Sequence, residues 1–282
     1  MNRVLWLASF PKSGNTWLRA FLANYLADTP SPVDINTLPD FAFGDMRSEP
    51  YARLAEVPAS SLSWEQINRL RPQVHRHLAG PGPGLTFVKT HTVLTSIAGV
   101  PTITPEATFG AIYVVRNPLD VAVSFADHYG LTLDEGVKAV CFRALQIEPK
   151  EGHILQPIAD WTTHVESWLR APGLYRLTLR YEDMTASPQK TFAQVPDFLR
   201  LPRDRERLKR AIRQSSFRVL AEQERRSGFV ERSRNADSFF RRGTVGGYRQ
   251  ELTAAHIDTI VGYHRAMMME LGYLDAAGRL LV

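Results

Sequence analysis

The chain has 282 residues, 44% hydrophobic and 22% charged, a composition that excludes a disordered or low-complexity protein. A formal charge of +5 favours an anionic partner, but the basic stretches Arg203 to Arg213 and Gln223 to Arg234 are laced with acids and carry no nucleic-acid signature, so nucleic acid is not expected. The lone cysteine, Cys141, excludes a disulfide framework and a cysteine metal cluster, and no run approaches the roughly 18 apolar residues of a membrane span.

The opening run, Val4 to Phe10, is too soon followed by Pro-Lys for a signal peptide and reads as a buried strand, which places the protein in the cytoplasm without membrane insertion. Behind it, Trp17, Leu18, Phe21, Leu22, Tyr25 and Leu26 recur at helical spacing. From residue 29 to 84 prolines accumulate and the pattern weakens, which predicts an irregular insertion with short helices, SWEQINRL after Ser61 being the best candidate. LTFVKTH, Leu85 to His91, follows the turn signal PGPG as a second strand. AIYVV, Ala111 to Val115, is a third, with Asn117 as cap and Pro118 at the first position of a helix that buries Val121, Ala122 and Phe125.

A helix over about Pro157 to Arg170 precedes a fourth strand, Tyr175 to Tyr181. SPQKTFAQVPDFL and the Arg203 to Glu224 stretch are helical in pattern, as is Leu252 to Leu271, where His264 lies on the apolar side. Strands alternating with helices predict one α/β domain over 1–282, with a mostly parallel sheet of about four to five strands flanked by helices on both faces. Cys141 is expected to pack as a small hydrophobe.

In such a sheet ligands bind beyond the C-terminal strand ends, and the chemically distinctive residues fall there. Lys12, Ser13 and Gly14 follow the first strand into a helix N-terminus, whose amides and dipole favour phosphate. The turn is P-loop-like but not a Walker A loop, because its lysine precedes the glycine; alone it fits a solvent-facing turn as well as a ligand cradle. Lys89 and His91 end the second strand, where a histidine is able to act as general base or to serve structure. Arg116 at a strand tip and Ser124 two turns into the next helix suit a second phosphate, or an ion pair and a solvated hydroxyl. The other seven histidines show no metal spacing and receive no role.

Six segments in order resemble the cytosolic-type sulfotransferases, which use 3′-phosphoadenosine 5′-phosphosulfate (PAPS) as donor. SFPKSGNTW resembles their 5′-phosphosulfate loop, FVKTH their catalytic-histidine strand, and YVVRNPLDVAVSFADHY their 3′-phosphate segment. RYEDM resembles the segment with the adenine-side tyrosine, SSFRVL the one whose hydroxyl and aromatic flank adenine, and FFRRGTVGGYRQEL the late Arg-x-Gly loop. Asn15 stands where the family commonly has threonine, and Tyr248 where it commonly has tryptophan, which puts a packing residue in question.

The resemblance implies a single sulfotransferase domain that moves a sulfuryl group from PAPS to a hydroxyl, less readily an amine, of a small-molecule acceptor and releases PAP without a metal. It implies His91 as base, Lys12 and Lys89 at the developing charges, and Ser124 restraining Lys12. It implies donor contacts from Lys12, Ser13, Gly14, Asn15, Thr16 and Trp17, from Arg116, Ser124 and Tyr181, and from Ser215, Phe217, Arg241, Arg242 and Gly243. Residues 29–84, with Phe41, Phe43, Met46 and Tyr51, are expected to form part of an apolar or aromatic acceptor pocket, and 222–240 is a candidate lid. A nucleotide or small-molecule kinase, a non-catalytic nucleotide-binding module and a homodimer remain as alternatives or additions.

Overall fold

Seven consecutive residues, Arg3–Ser9, form the first strand, β1, and from Val4 onward every one is buried. A strand without inside-outside alternation is covered on both faces, as a central parallel strand must be. The computed structural model describes residues 3–82, 84–149 and 151–282. After β1 come strands β2 (Phe43–Gly44), β3 (Leu85–Thr90), β4 (Thr108–Val115) and β5 (Arg176–Arg180). They form one parallel sheet in the order β2-β3-β1-β4-β5. Leu7 lies opposite Lys89, and Gly44 opposite Lys89 on the other side. The strand order changes direction across β1, so its C-terminal end is the topological switch point at which such sheets hold ligands.

The main helices are α1 (Asn15–Ala27), α2 (Trp64–Ala79), α3 (Pro118–Tyr129), α4 (Leu133–Cys141) and α5 (Trp161–Leu169). They are followed by α6 (Tyr181–Ala186), α7 (Pro188–Phe198), α8 (Arg205–Gln214), α9 (Phe217–Ser227) and α10 (Ala254–Glu270). Among the described residues no helix is long and apolar enough to cross a membrane. Asn117 caps α3 through its side chain, accepting from the Leu119 amide, and Pro118 opens the helix as expected.

Two expectations change. The proline-rich insertion contains a sixteen-residue helix, α2, opened by a capping box between Ser63 and Gln66. Pro72 removes one of its hydrogen bonds, yet Val74 and His75 beyond it are fully buried, and that burial carries the helix on. The fourth strand ends at Arg180, because Tyr181 already begins α6.

Packing groups the described residues into two compact units. The first holds residues through Phe10, Ala42–Tyr113 and Arg143–Thr178, which include β1 to β3, most of β4 and α2. Its core draws on β1, on Val88 and on Trp161, Val165 and Trp168 of α5, all fully buried. The second holds Pro11–Phe41, Val114–Phe142 and Leu179–Val282. In it the Phe21 and Phe192 rings stack at 4.3 Å between α1 and α7, and α10 turns Ile260, His264, Met267 and Met268 inward. Cys141 is only half-buried, and its Sγ lies 3.6 Å from His264 Nε2, so the thiol has a polar neighbour that its expected apolar role lacked.

Candidate active site

In the first unit the reactive end of β3 is tied from several directions. His91 Nδ1 lies 2.7 Å from the Ser9 carbonyl oxygen and 3.2 Å from Ser9 Oγ. A carbonyl only accepts, so Nδ1 carries the proton and the imidazole lone pair falls on Nε2, the tautomer a general base requires. The His91 carbonyl accepts from His164 Nε2 at 3.0 Å, and His164 Nδ1 accepts from the Tyr113 hydroxyl at 2.9 Å. Burial holds His164 neutral, its pKa pushed down to about 4, and raises that of Tyr113 far above the ordinary phenol value. Trp168 Nε1 donates to the Thr92 carbonyl at 3.1 Å. With its oxygen facing the strand, the Gln156 amide accepts from the His91 and Thr92 amides at 3.1 and 3.3 Å. Lys89 is half-buried two residues before His91.

The phosphate turn, in the second unit, has a strained backbone. Lys12 adopts φ 66° and Gly14 φ 106°. Left-handed geometry at a non-glycine residue costs roughly 1–3 kcal/mol, and such strain concentrates at functional sites. Gly14 is the N-cap of α1, so no side chain caps the helix, and Asn15 and Thr16 are buried at its mouth. A Cβ at Gly14 would lie 2.7 Å from the Tyr181 ring, so only glycine lets the turn close against it. Among the described residues Ser13 Oγ and Trp17 Nε1 are both buried without a hydrogen-bond partner. A buried polar atom with no protein partner is costly, and a phosphate oxygen would satisfy either.

Arg116 ties this turn to the late loop. Its Nη1 donates to the Lys12 carbonyl at 3.3 Å, its Nη2 to the Thr244 carbonyl at 3.0 Å, and its guanidinium lies 4.3 Å from the centroid of the Tyr181 ring. Tyr181 is 6% exposed and meets Trp17 edge-on at 5.5 Å; burial raises its pKa against the opposing pull of Arg116. The Phe217 ring lies so close to Gly243 that an added Cβ would meet it at 2.2 Å. Arg241 pairs with Glu251 at 3.0 Å and Asp127 at 3.5 Å, and Arg242 with Glu251 at 2.8 Å. Ser124 is half-buried in α3. Ser215, at the C-terminal cap of α8, is fully buried, and its hydroxyl donates to the Ala211 carbonyl of that helix at 2.8 Å.

A match to the sulfotransferase domain family covers residues 2–272. The chain belongs to the sulfotransferase family. It is 23% identical to mouse sulfotransferase 1B1 over 93% of this chain and 81% of that protein. It is 25% identical to cytosolic sulfotransferase 5 of Arabidopsis thaliana over 88% of this chain and 74% of the relative. Among solved structures it resembles retinol dehydratase in complex with retinol and PAP, with TM-score 0.64 and 19% identity over 94% of this chain and 81% of that one. A mouse sulfotransferase complexed with PAP gives TM-score 0.59 and 19% identity over 94% and 84%. The kinase alternative is set aside by the family match.

Within this sulfotransferase, three polar residues that sequence reasoning passed over hold the motif residues in place. His164 supports His91, as described above. Asp120 of α3 accepts from the Gly246 and Tyr248 amides at 2.9 and 3.0 Å and so anchors the late loop. Glu182 accepts from the Asn117 amide and the Tyr273 hydroxyl, both at 3.0 Å. Asp120 and Glu182 carry a sequence signal, their places inside YVVRNPLDVAVSFADHY and RYEDM, and His164 carries none. Tyr248, the departure from tryptophan, is fully buried with its hydroxyl 2.7 Å from the Val282 carbonyl, so packing is kept. The residues expected to line the acceptor pocket divide: Met46 and Tyr51 belong to a core cluster with Ile67 and Val74, whereas Phe43 is half-buried with the Arg47 guanidinium 5.7 Å from its ring.

Proposed function

We propose that the protein transfers the sulfuryl group of PAPS to a hydroxyl of a small apolar or ring-bearing acceptor and releases PAP. The observation that carries the reading is the turn before α1, with strained Lys12, uncapped helix amides and the unpartnered buried Ser13 Oγ and Trp17 Nε1. Those groups suit an anion, and no acidic side chain is part of the turn. When bound, PAPS supplies the sulfuryl group and a nucleotide leaving group.

The chain's own residues divide the remaining work. The amides from Ser13 to Thr16 hold the 5′-phosphate, and Lys12 neutralises charge that grows on the bridging oxygen. Arg116 grips the 3′-phosphate, with Tyr181 beside the adenine. His91, with its lone pair on Nε2, takes the acceptor proton, and Lys89 steadies the sulfuryl oxygens. Phe239 faces the Lys12 ammonium at 4.2 Å, and Glu231 binds Arg19 of α1 with oxygens at 2.9 and 2.5 Å, which supports the loop beyond Gly228 as a strap over the donor. The helix α9 reaches Ser227, so the strap begins later than residue 222.

The relatives named cytosolic support a cytoplasmic enzyme, and the retinol and androsterone held by retinol dehydratase support an apolar alcohol as acceptor. The test is transfer of label from radiolabelled PAPS to phenols, alkyl alcohols, sugars and lipid-like alcohols. Turnover with at least one class is expected; magnesium-dependent transfer from ATP, or tight PAP binding with no transfer to any class, would sink the reading.

A further inference from the structure

We propose that Asp45 is a positioning residue for the transfer reaction, its carboxylate clamping the two threonines that flank His91 and so fixing the aim of the imidazole. The inference rests on the sulfuryl-transfer reading, and its contacts are ones that reading does not use. β2 ends at Gly44, opposite Lys89. Immediately beyond, the Asp45 amide donates to the Lys89 carbonyl at 3.1 Å. Asp45 Oδ2 accepts from the Thr90 hydroxyl at 2.8 Å and from the Thr92 hydroxyl at 3.0 Å. The Thr92 amide closes the loop by donating to Thr90 Oγ1 at 3.0 Å. One residue thus holds positions 89, 90 and 92, and leaves the His91 side chain for chemistry.

Stability alone gives little reason for an acid at this place. Asp45 is 2% exposed, and a buried carboxylate is costly unless charge and hydrogen bonds compensate it. The compensating cation is Arg71 of α2, itself fully buried. Burial raises the Asp45 pKa, and the Arg71 charge, the threonine hydroxyls and Lys89 pull it back. All three guanidinium nitrogens of Arg71 lack a hydrogen-bond partner among the described residues, so the pair acts through its field. Apolar residues in place of a buried ion pair are often neutral or stabilising. An apolar side chain at position 45, however, accepts from neither threonine, and the strand end would regain freedom. Misplacement of a reacting group by about 1 Å costs on the order of a hundredfold in rate.

The experiment compares wild type, Asp45→Asn, Arg71→Met, the double variant and Thr92→Val. Each is measured for kcat and KM with PAPS and the best acceptor, for PAP affinity by calorimetry, for Tm, and for the His91 imidazole nitrogen shifts in the unliganded protein, assigned against His91→Gln. Asp45→Asn is expected to lower kcat about tenfold or more, with acceptor KM and PAP affinity within about twofold. Its His91 shifts move toward those of a freely tautomerising ring, and Thr92→Val gives the same change in smaller degree. The double variant regains Tm, since no buried guanidinium lacks its counter-charge, but not kcat or the shifts. A double variant whose kcat recovers with Tm, or an Asp45→Asn protein with wild-type kcat and shifts, overturns the proposal. Wild type inactive with every acceptor defeats the sulfuryl-transfer reading instead, and unchanged His91 shifts then independently defeat the positioning role.

Discussion

Around His91 polar groups are matched by other protein groups: the ring nitrogen by Ser9, the carbonyl by His164, the flanking threonines by Asp45. Around the turn at Lys12 the reverse holds, with Ser13 Oγ and Trp17 Nε1 buried and unmatched among the described residues, and the helix mouth left without a side-chain cap. A general base works from one tautomer and one direction, so the fold completes its hydrogen bonds in advance. A phosphate site needs donors that are still uncommitted, because any protein acceptor there would compete with the ligand. The two regions therefore show what each task demands of the same kinds of polar atom.

That contrast predicts separable losses. His91→Ala should leave PAP affinity within about twofold while transfer falls by about two orders of magnitude or more, read by calorimetry and by PAPS consumption. Retained turnover would remove the base from the matched region. Arg116→Ala should act the other way, weakening PAP binding about tenfold to a hundredfold, the worth of a charge-assisted contact of roughly 1.5–3 kcal/mol. The loss should shrink as salt rises, because it is electrostatic. Equal affinity before and after the change would mean that Arg116 only braces the Lys12 and Thr244 carbonyls.

The contrast also explains what was legible in the sequence. The unmatched region is written locally: a strand, a turn with Lys12 and Gly14, and a helix follow one another, and the Asn117-Pro118 cap announces itself in two residues. The matched region is assembled from afar. His164 meets His91 across 73 positions and Asp45 meets Thr90 across 45, and neither carries a pattern that distinguishes it from a structural histidine or a loop acid. Met46 and Tyr51 look like pocket residues in a proline-rich stretch, and only the unexpected length of α2 shows them to be its core partners. Ser215 has the expected sequence neighbours, but its hydroxyl is taken by a backbone carbonyl that no motif records.

The strap beyond Gly228 lets the comparison be sharpened without touching either set of reacting groups. Arg19 is fully buried, and its partner Glu231 is 19% exposed at the side chain. Removing one member of a buried pair leaves an uncompensated charge, worth several kcal/mol when both are enclosed and less here because water reaches Glu231. Glu231→Ala should therefore lower unfolding stability by about 2 kcal/mol and weaken PAP retention, with a smaller effect on the His91 resonances. A variant that loses stability but keeps PAP affinity would make the strap a structural tie alone.

A last effect, read through pH, comes from the buried histidines of the first unit. His164 and His75 are held neutral by burial, with pKa values pushed down from 6.5 to about 4 and about 3. Above pH 6.5 both are neutral folded and unfolded, and they add no pH dependence. Below it the unfolded chain binds protons that the folded one refuses, so stability falls by about 1.36 kcal/mol per pH unit per histidine. The fall ends for each where its folded pKa is reached, first for His164. Urea midpoints measured between pH 7.5 and 5 should decline on acidification, and His75→Phe should halve the histidine part of that slope while Trp6 keeps an aromatic neighbour 4.9 Å away in the wild-type geometry. A slope that His75→Phe leaves unchanged would show that His75 accepts its proton without unfolding, which its fully buried place beside Thr104 is expected to forbid.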